Sequence, residues 1–298
     1  MKKVLVIVGP TAVGKSGLGV KLAHMLDGEI ISGDSIQIYK GLDIGSGKVT
    51  EEEMDGIPHF GIDELDPKID NYSVADFKVR ARRSIEEISE RGHLPIIVGG
   101  TGLYIKACLY DYSFEEEVVD HEDPYPELDN EALYELLKEK DPKACENIHM
   151  NNRRRVLRAL QIAATHGRTK SEQEAAQDHE MIYDAFIVGL TTERERLYER
   201  ISMRVDMMAE SGLEDEIKRL VDAGVTFDKQ AMRGIGYKEW NCDLGKEEIL
   251  ELVKTHSRQF AKRQYTWFNH QMPVHWVNVD EPEEMDKMIT TIREWSHE

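Results

Sequence analysis

With 298 residues, 40% of them hydrophobic and 32% charged, the chain has the composition of a soluble globular protein and enough length to bury a sizeable core as one large domain or two. Its 57 acidic and 38 basic residues leave a net charge of −19, which weighs globally against nucleic-acid binding, because cationic neutralisation of phosphates supplies much of that affinity. The cysteines Cys108, Cys145 and Cys242 form no C-x-x-C pair, which excludes a disulfide framework or zinc finger and implies a reducing, cytoplasmic setting. No apolar run reaches membrane-span length, and the N-terminal Met-Lys-Lys with its short apolar run leads into a glycine-rich loop, not a cleavage site.

The first predicted element is a buried strand, Val4–Val8. It runs into Gly9-Pro10-Thr11-Ala12-Val13-Gly14-Lys15-Ser16, which fits the G-x-x-x-x-G-K-[ST] phosphate-binding pattern, with a helix over Ser16–Leu26 behind it. Glycines let successive backbone N–H groups point at phosphate oxygens, and the helix start adds its positive dipole end. Lys15 adds a point charge, and the Ser16 hydroxyl suits the Mg²⁺ that a di- or triphosphate brings. A short strand, Glu29–Ser32, ends at Asp34-Ser35-Ile36-Gln37. A carboxylate at that strand end opens onto the ligand crevice of a parallel sheet, where it can accept a proton or hold Mg²⁺ through water. Gly33-Asp34-Ser35 is equally good turn chemistry. A helix over Val74–Arg91, stopped at Gly92, leads to the strand Leu94–Val98 and to Gly99-Gly100-Thr101-Gly102. That loop offers close backbone approach and a Thr101 hydroxyl, or simply a glycine turn. Strands alternating with helices predict an α/β fold, a P-loop NTPase-like parallel-sheet core.

The pattern changes after Asp111. Residues 113 to 146 carry thirteen acidic and three basic side chains, and Glu115–Pro126, with Pro124 and Pro126, reads as a linker or exposed loop. Helices follow at Asn130–Lys140 and Asn152–His166, the second ended by Gly167, before the strand Ala185–Leu190 resumes the core pattern. The expected organisation is a catalytic core of 1–112 and 185–298 with a helical insertion at 113–184. On the second insertion helix Arg154, Arg155 and Arg158 share a face, while Val156, Leu157 and Leu160 face inward. Guanidinium forks there suit an RNA backbone, the lid of a phosphoryl-transfer enzyme, or plain solvent. Beyond residue 192 come long charged helices and a late strand at Val274–Val279. Arg233-Gly234-Ile235-Gly236-Tyr237-Lys238 reads as a basic turn whose aromatic suits a phosphate or stacked base. Arg258–Gln264 with Trp267 and Phe268 reads as a basic helix, the two aromatics in core packing.

Taken together, GPTAVGKS, EIISGDSIQIYKGLDIGSGK, GIPHFGID, LPIIVGGTGLY, IHMNNRRRVLRAL, LYERISMRVDMM, RGIGYKE and RQFAKRQYTWF resemble, in order and over nearly the whole chain, the bacterial tRNA dimethylallyltransferase family. Val49-Thr50 depart from the proline of that pattern. The resemblance implies transfer of a dimethylallyl group from dimethylallyl diphosphate to N6 of adenosine 37 of tRNA, with pyrophosphate leaving. It implies Asp34 as general base and Thr101 beside the reacting centre. The diphosphate would lie on residues 9 to 16, with Mg²⁺ at Ser16 and Arg204 beside it. The tRNA would meet Asp34, Ser35, Ile36, Gln37 and Thr101, then Arg154, Arg155, Val156, Leu157 and Arg158 of the insertion, and Arg233 to Lys238. A cytoplasmic monomer without membrane attachment is expected. The competing readings are a small-molecule P-loop kinase, with Asp34 as base toward a hydroxyl, and an isopentenyltransferase acting on free adenine nucleotides.

Overall fold

The computed structural model describes residues 1–112, 123–166, 169, 171–172 and 180–298. The eight-residue part of the acidic stretch at 115–122 and the helix stop at Gly167 lie outside the described residues.

Runs of β-branched and aliphatic residues form the sheet. The strands are β1 (Lys3–Val8), β2 (Gly28–Ser32), β3 (His59–Phe60), β4 (Leu94–Val98), β5 (Asp184–Thr191) and β6 (His275–Asn278). They pair in the order β3-β2-β4-β1-β5-β6, every pairing parallel. β1 is central, with Leu5 opposite Ile96 on one side and Phe186 on the other. Covered on both faces, Val4 to Val8 are wholly buried, as a strand inside a parallel sheet must be.

Ser73 caps α3 (Val74–Glu90) in a reciprocal capping box with Asp76. Its apolar positions Phe77, Ala81, Ile85 and Ile88 recur at helical spacing and are buried. On the other face, Leu5, Ile7, Ile30, Ile96, Val188 and Val277 share one core with Leu18 and Leu22 of α1 (Lys15–Leu26), Leu197 and Ile201 of a C-terminal helix (Arg194–Glu210), and Ile289 and Ile292 of the last helix (Pro282–His297). Glu29, at the start of β2, is buried. Arg91 binds it with two hydrogen bonds of 3.0 and 2.6 Å, and His93 Nδ1 lies 2.6 Å from the same carboxylate, which ties β2 to the segment entering β4.

Contacts divide the chain into two units, Met1–Tyr110 with Met181–Glu298, and Asp111–Glu180. The second is a small helical unit. Asp129 caps α5 (Asn130–Lys140), whose Leu133 and Leu137 pack with Val156, Ala159 and Leu160 of α6 (Arg153–His166). Arg153 is spent inside this unit, its guanidinium bound to the Asp123 carboxylate and to the carbonyls of Tyr125 and Leu128. Arg154 and Arg155 are exposed and Arg158 is partly buried. Val156 is fully buried in the small core, so its side chain makes no RNA contact: the expectation placing it at that interface is corrected by its inward position.

Candidate active site

Because the strands are parallel, the loops after β1, β2 and β4 emerge at one end of the sheet. The Thr101 N–H donates to the Gly33 carbonyl at 3.2 Å, and Gly99 packs so closely on Gly33 that a Cβ there would overlap its backbone. In the phosphate loop Gly9 (φ 142°), Ala12 (φ 63°) and Gly14 (φ 98°) take positive φ. Such alternation is what turns consecutive N–H groups toward one anion.

A cavity of about 700 Å³ opens over this loop. Its wall takes Thr11 to Ser16 except Val13, then Asp34 and Gln37, the segment Asp43–Thr50 without Gly45, and Gly99 and Gly100. From α7 (Arg194–Glu210) it takes Arg204, Met207 and Met208, and from α9 (Lys246–Gln271), which follows α8 (Leu213–Asp222), it takes Phe260 and Gln264. Val13 turns into the core instead. Thr101 is not among the lining residues; it stands at the start of α4 (Gly102–Leu109), its carbonyl accepting from the N–H groups of Tyr104 and Ile105.

Three charged side chains converge on the cavity. Lys15 Nζ donates to the Pro10 carbonyl at 2.6 Å. Burial, then the nearby Arg204 guanidinium, push the Lys15 ammonium down to about 7, while Asp34 pulls the other way. Arg204 donates through Nη1 to Thr11 Oγ1 at 3.1 Å and through Nη2 to the carbonyls of Ser46 and Gly47, both at 3.4 Å. Gly47 has φ 57°, and a Cβ there would overlap the guanidinium. Asp34 closes a turn and also lines the cavity. Its Oδ1 accepts the N–H groups of Ile36 (2.8 Å) and Gln37 (3.2 Å), a turn, while the carboxylate still faces the cavity. The Gln37 amide donates to the Gly47 carbonyl at 3.3 Å.

Two buried polar side chains that hold the segments around the cavity escaped the sequence reading. Gln264 is buried; its Oε1 accepts the Thr11 N–H and its Nε2 donates to the Gly100 carbonyl, both at 3.0 Å. It clips the phosphate loop to the loop after β4. Glu216 on α8 is likewise buried and accepts backbone N–H groups of the segment at 43–45. In both cases the readable signal is a polar residue set on an apolar helical stripe, between Ala261 and Phe268 for Gln264 and between Leu213 and Leu220 for Glu216.

The turn from Arg233 to Lys238 needs correcting. Tyr237 is fully buried, its hydroxyl donating to Glu216 and accepting from the Ser46 N–H, so its ring stacks on no base. Gly234 packs on Ile36, Gly236 is buried against Gly45, and Ile235 packs with Val205, Ile249 and Val253. Only Arg233 and Lys238 of this turn are exposed. In the basic helix Phe268 is buried and Trp267 covers Gly102.

Among the described residues no group of three or more His, Cys, Asp or Glu side chains could hold a metal, and no helix is long and apolar enough to cross a membrane. The oxygen donors at the cavity, the Ser16 hydroxyl and the Asp34 carboxylate, suit a Mg²⁺ that arrives with a phosphate ligand and keeps most of its waters.

Residues 37–271 match the family described as IPP transferase. A tRNA dimethylallyltransferase of Bacillus cytotoxicus is 48% identical over 98% of this chain and 95% of its own length. The full-length tRNA isopentenylpyrophosphate transferase of Bacillus halodurans superposes with a TM-score of 0.76 at 42% identity, covering 100% of this chain and 97% of that one. A eukaryotic dimethylallyltransferase acting on tRNA superposes with a TM-score of 0.80 at 32% identity, over 93% of this chain and 74% of that one.

Proposed function

This chain belongs to the IPP transferase family, and we propose that it transfers the dimethylallyl group of dimethylallyl diphosphate to N6 of adenosine 37 in tRNA, releasing pyrophosphate. The observation that carries this reading is one cavity holding a phosphate loop with two cations, Lys15 and Arg204, and the carboxylate of Asp34. The cations and loop amides stabilise charge that grows on the departing pyrophosphate as the allylic C–O bond breaks. Asp34 Oδ1 is committed to its turn, so Oδ2 takes the proton that the adenine amine sheds as the C–N bond forms. Asp34 to Gln37 face the extruded base, with Thr101 beside the acceptor side. Ser16 would hold a Mg²⁺ brought by the diphosphate, and the ion would supply further countercharge.

The exposed Arg154 and Arg155 with Arg158 on the insertion, and Arg233 and Lys238 on the core, would meet the tRNA backbone. Cys108 is buried, and burial pushes its thiol up to about 12, an inert group suited to a reducing cytoplasm. The test is incubation with radiolabelled dimethylallyl diphosphate and tRNA, AMP or no acceptor. Label in tRNA alone is the expected result, and Asp34→Ala should lower turnover by about two orders of magnitude while tRNA binding is kept. Label in AMP but not tRNA, or transfer of an ATP γ-phosphate to a small acceptor, would sink the proposal.

A further inference from the structure

Glu216 is 1% exposed, and its carboxylate collects four donors. Oε2 accepts the N–H groups of Asp43 (3.0 Å) and Ile44 (2.7 Å); Oε1 accepts the Gly45 N–H (3.1 Å) and the Tyr237 hydroxyl (2.7 Å). The same hydroxyl accepts the Ser46 N–H at 3.0 Å. Four successive backbone donors are thus fixed from behind by one buried anion and one buried phenol. A carboxylate only accepts, so this many converging donors is what makes its burial tolerable. Two carbonyls at the end of this segment, those of Ser46 and Gly47, both meet Arg204 Nη2, and Arg204 Nη1 meets Thr11 in the phosphate loop. The Glu216 oxygens meet the 43–45 backbone and Tyr237, and its path to Arg204 runs through the backbone it holds.

We propose that Glu216, with Tyr237, is a positioning residue for the transfer reaction: the pair presets the segment 43–47 so that its carbonyls hold the Arg204 guanidinium over the phosphate loop. This rests on the reading of the cavity as the diphosphate site. It also gives the Arg233–Lys238 turn a role without RNA: the turn delivers the Tyr237 hydroxyl to the back of the segment. Glu216→Gln keeps the shape of the side chain but turns one acceptor into a donor facing backbone N–H groups.

The test is a double-mutant cycle read by calorimetric binding of inorganic pyrophosphate with Mg²⁺ to the full chain. Glu216→Gln should weaken binding about tenfold, and in an Arg204→Ala background it should change binding by no more than about twofold, because the effect runs through Arg204. Amide hydrogen exchange at residues 43 to 46 should quicken in Glu216→Gln with the β1 amides unchanged. Tyr237→Phe, a milder change that loses only the hydroxyl, should weaken binding about threefold and carries the same cycle if Glu216→Gln does not fold. Wild-type affinity in the folded Glu216→Gln protein, or the same fold loss with and without Arg204, would overturn the inference alone. A wild-type protein that binds no pyrophosphate would overturn the functional reading and this inference with it.

Discussion

At the residue scale, the fold changes the acid–base chemistry of Lys15. Its ammonium is brought down to about 7 by burial and by Arg204, against the pull of Asp34. A bound diphosphate favours the charged form, so the bound-state value lies above the free one. Binding therefore takes up a proton in the window above pH 7, and affinity falls as pH rises through that window. Calorimetry of pyrophosphate binding at pH 8 in buffers of different ionisation enthalpy should find about one proton taken up per site, and Lys15→Arg, always charged, should abolish the uptake. An equal uptake in the arginine variant would assign the proton elsewhere. Lys15 and Asp34 were legible in the sequence because the phosphate loop and the strand-end turn are local patterns. Tyr237 was misread, because type and spacing do not say which side of a turn is inward. Helical spacing does say so for Val156, which it places inward as found, and only the RNA contact implied by the family resemblance fails. Glu216 and Gln264 needed the partners brought to them from 171 and 253 residues away.

At the scale of elements, β1, β2, β4 and β5 and the helices at 74–90, 130–140 and 153–166 follow from periodicity and capping, to within a residue or two. The two-residue β3 and the one-turn α2 (Glu51–Met54) carry too few residues for a period to show. Strand order was not legible either, since it depends on which distant strand supplies each hydrogen bond. The tie that fixes β2 beside β4 is testable. Burial opposes ionisation of Glu29, but the hydrogen bonds from Arg91 and His93 outweigh it and hold the carboxyl below its usual range. A folded-state pKa below the unfolded one stabilises above the ordinary carboxylate value and is lost as pH falls through the depressed value. Glu29→Gln should cost about 3 kcal/mol in urea unfolding at pH 7, and the deficit should shrink below about pH 4. A deficit independent of pH would mean the loss is one of packing, not of charge.

For the molecule as a whole, the net charge of −19 hides a local inversion. A polyanion is sampled by the surface that meets it, within about 8 Å at physiological ionic strength, so a short basic helix face outweighs distant carboxylates. The helical unit at 111–180 concentrates this contrast: α6 opens with three arginines, one consumed internally by Asp123 and two left at the surface. That division of labour separates two kinds of variant. Arg153→Ala should destabilise the unit by breaking its link to the 123–128 segment. Arg154→Ala should leave folding and pyrophosphate binding unchanged but weaken tRNA binding, with the slope of log affinity against log salt reduced by about 1, as expected for one lost phosphate contact. The measurement is tRNA binding by filter retention or fluorescence anisotropy across a salt series. An unchanged slope would remove Arg154 from the RNA interface, and a weakened pyrophosphate affinity would instead make the insertion part of the diphosphate site.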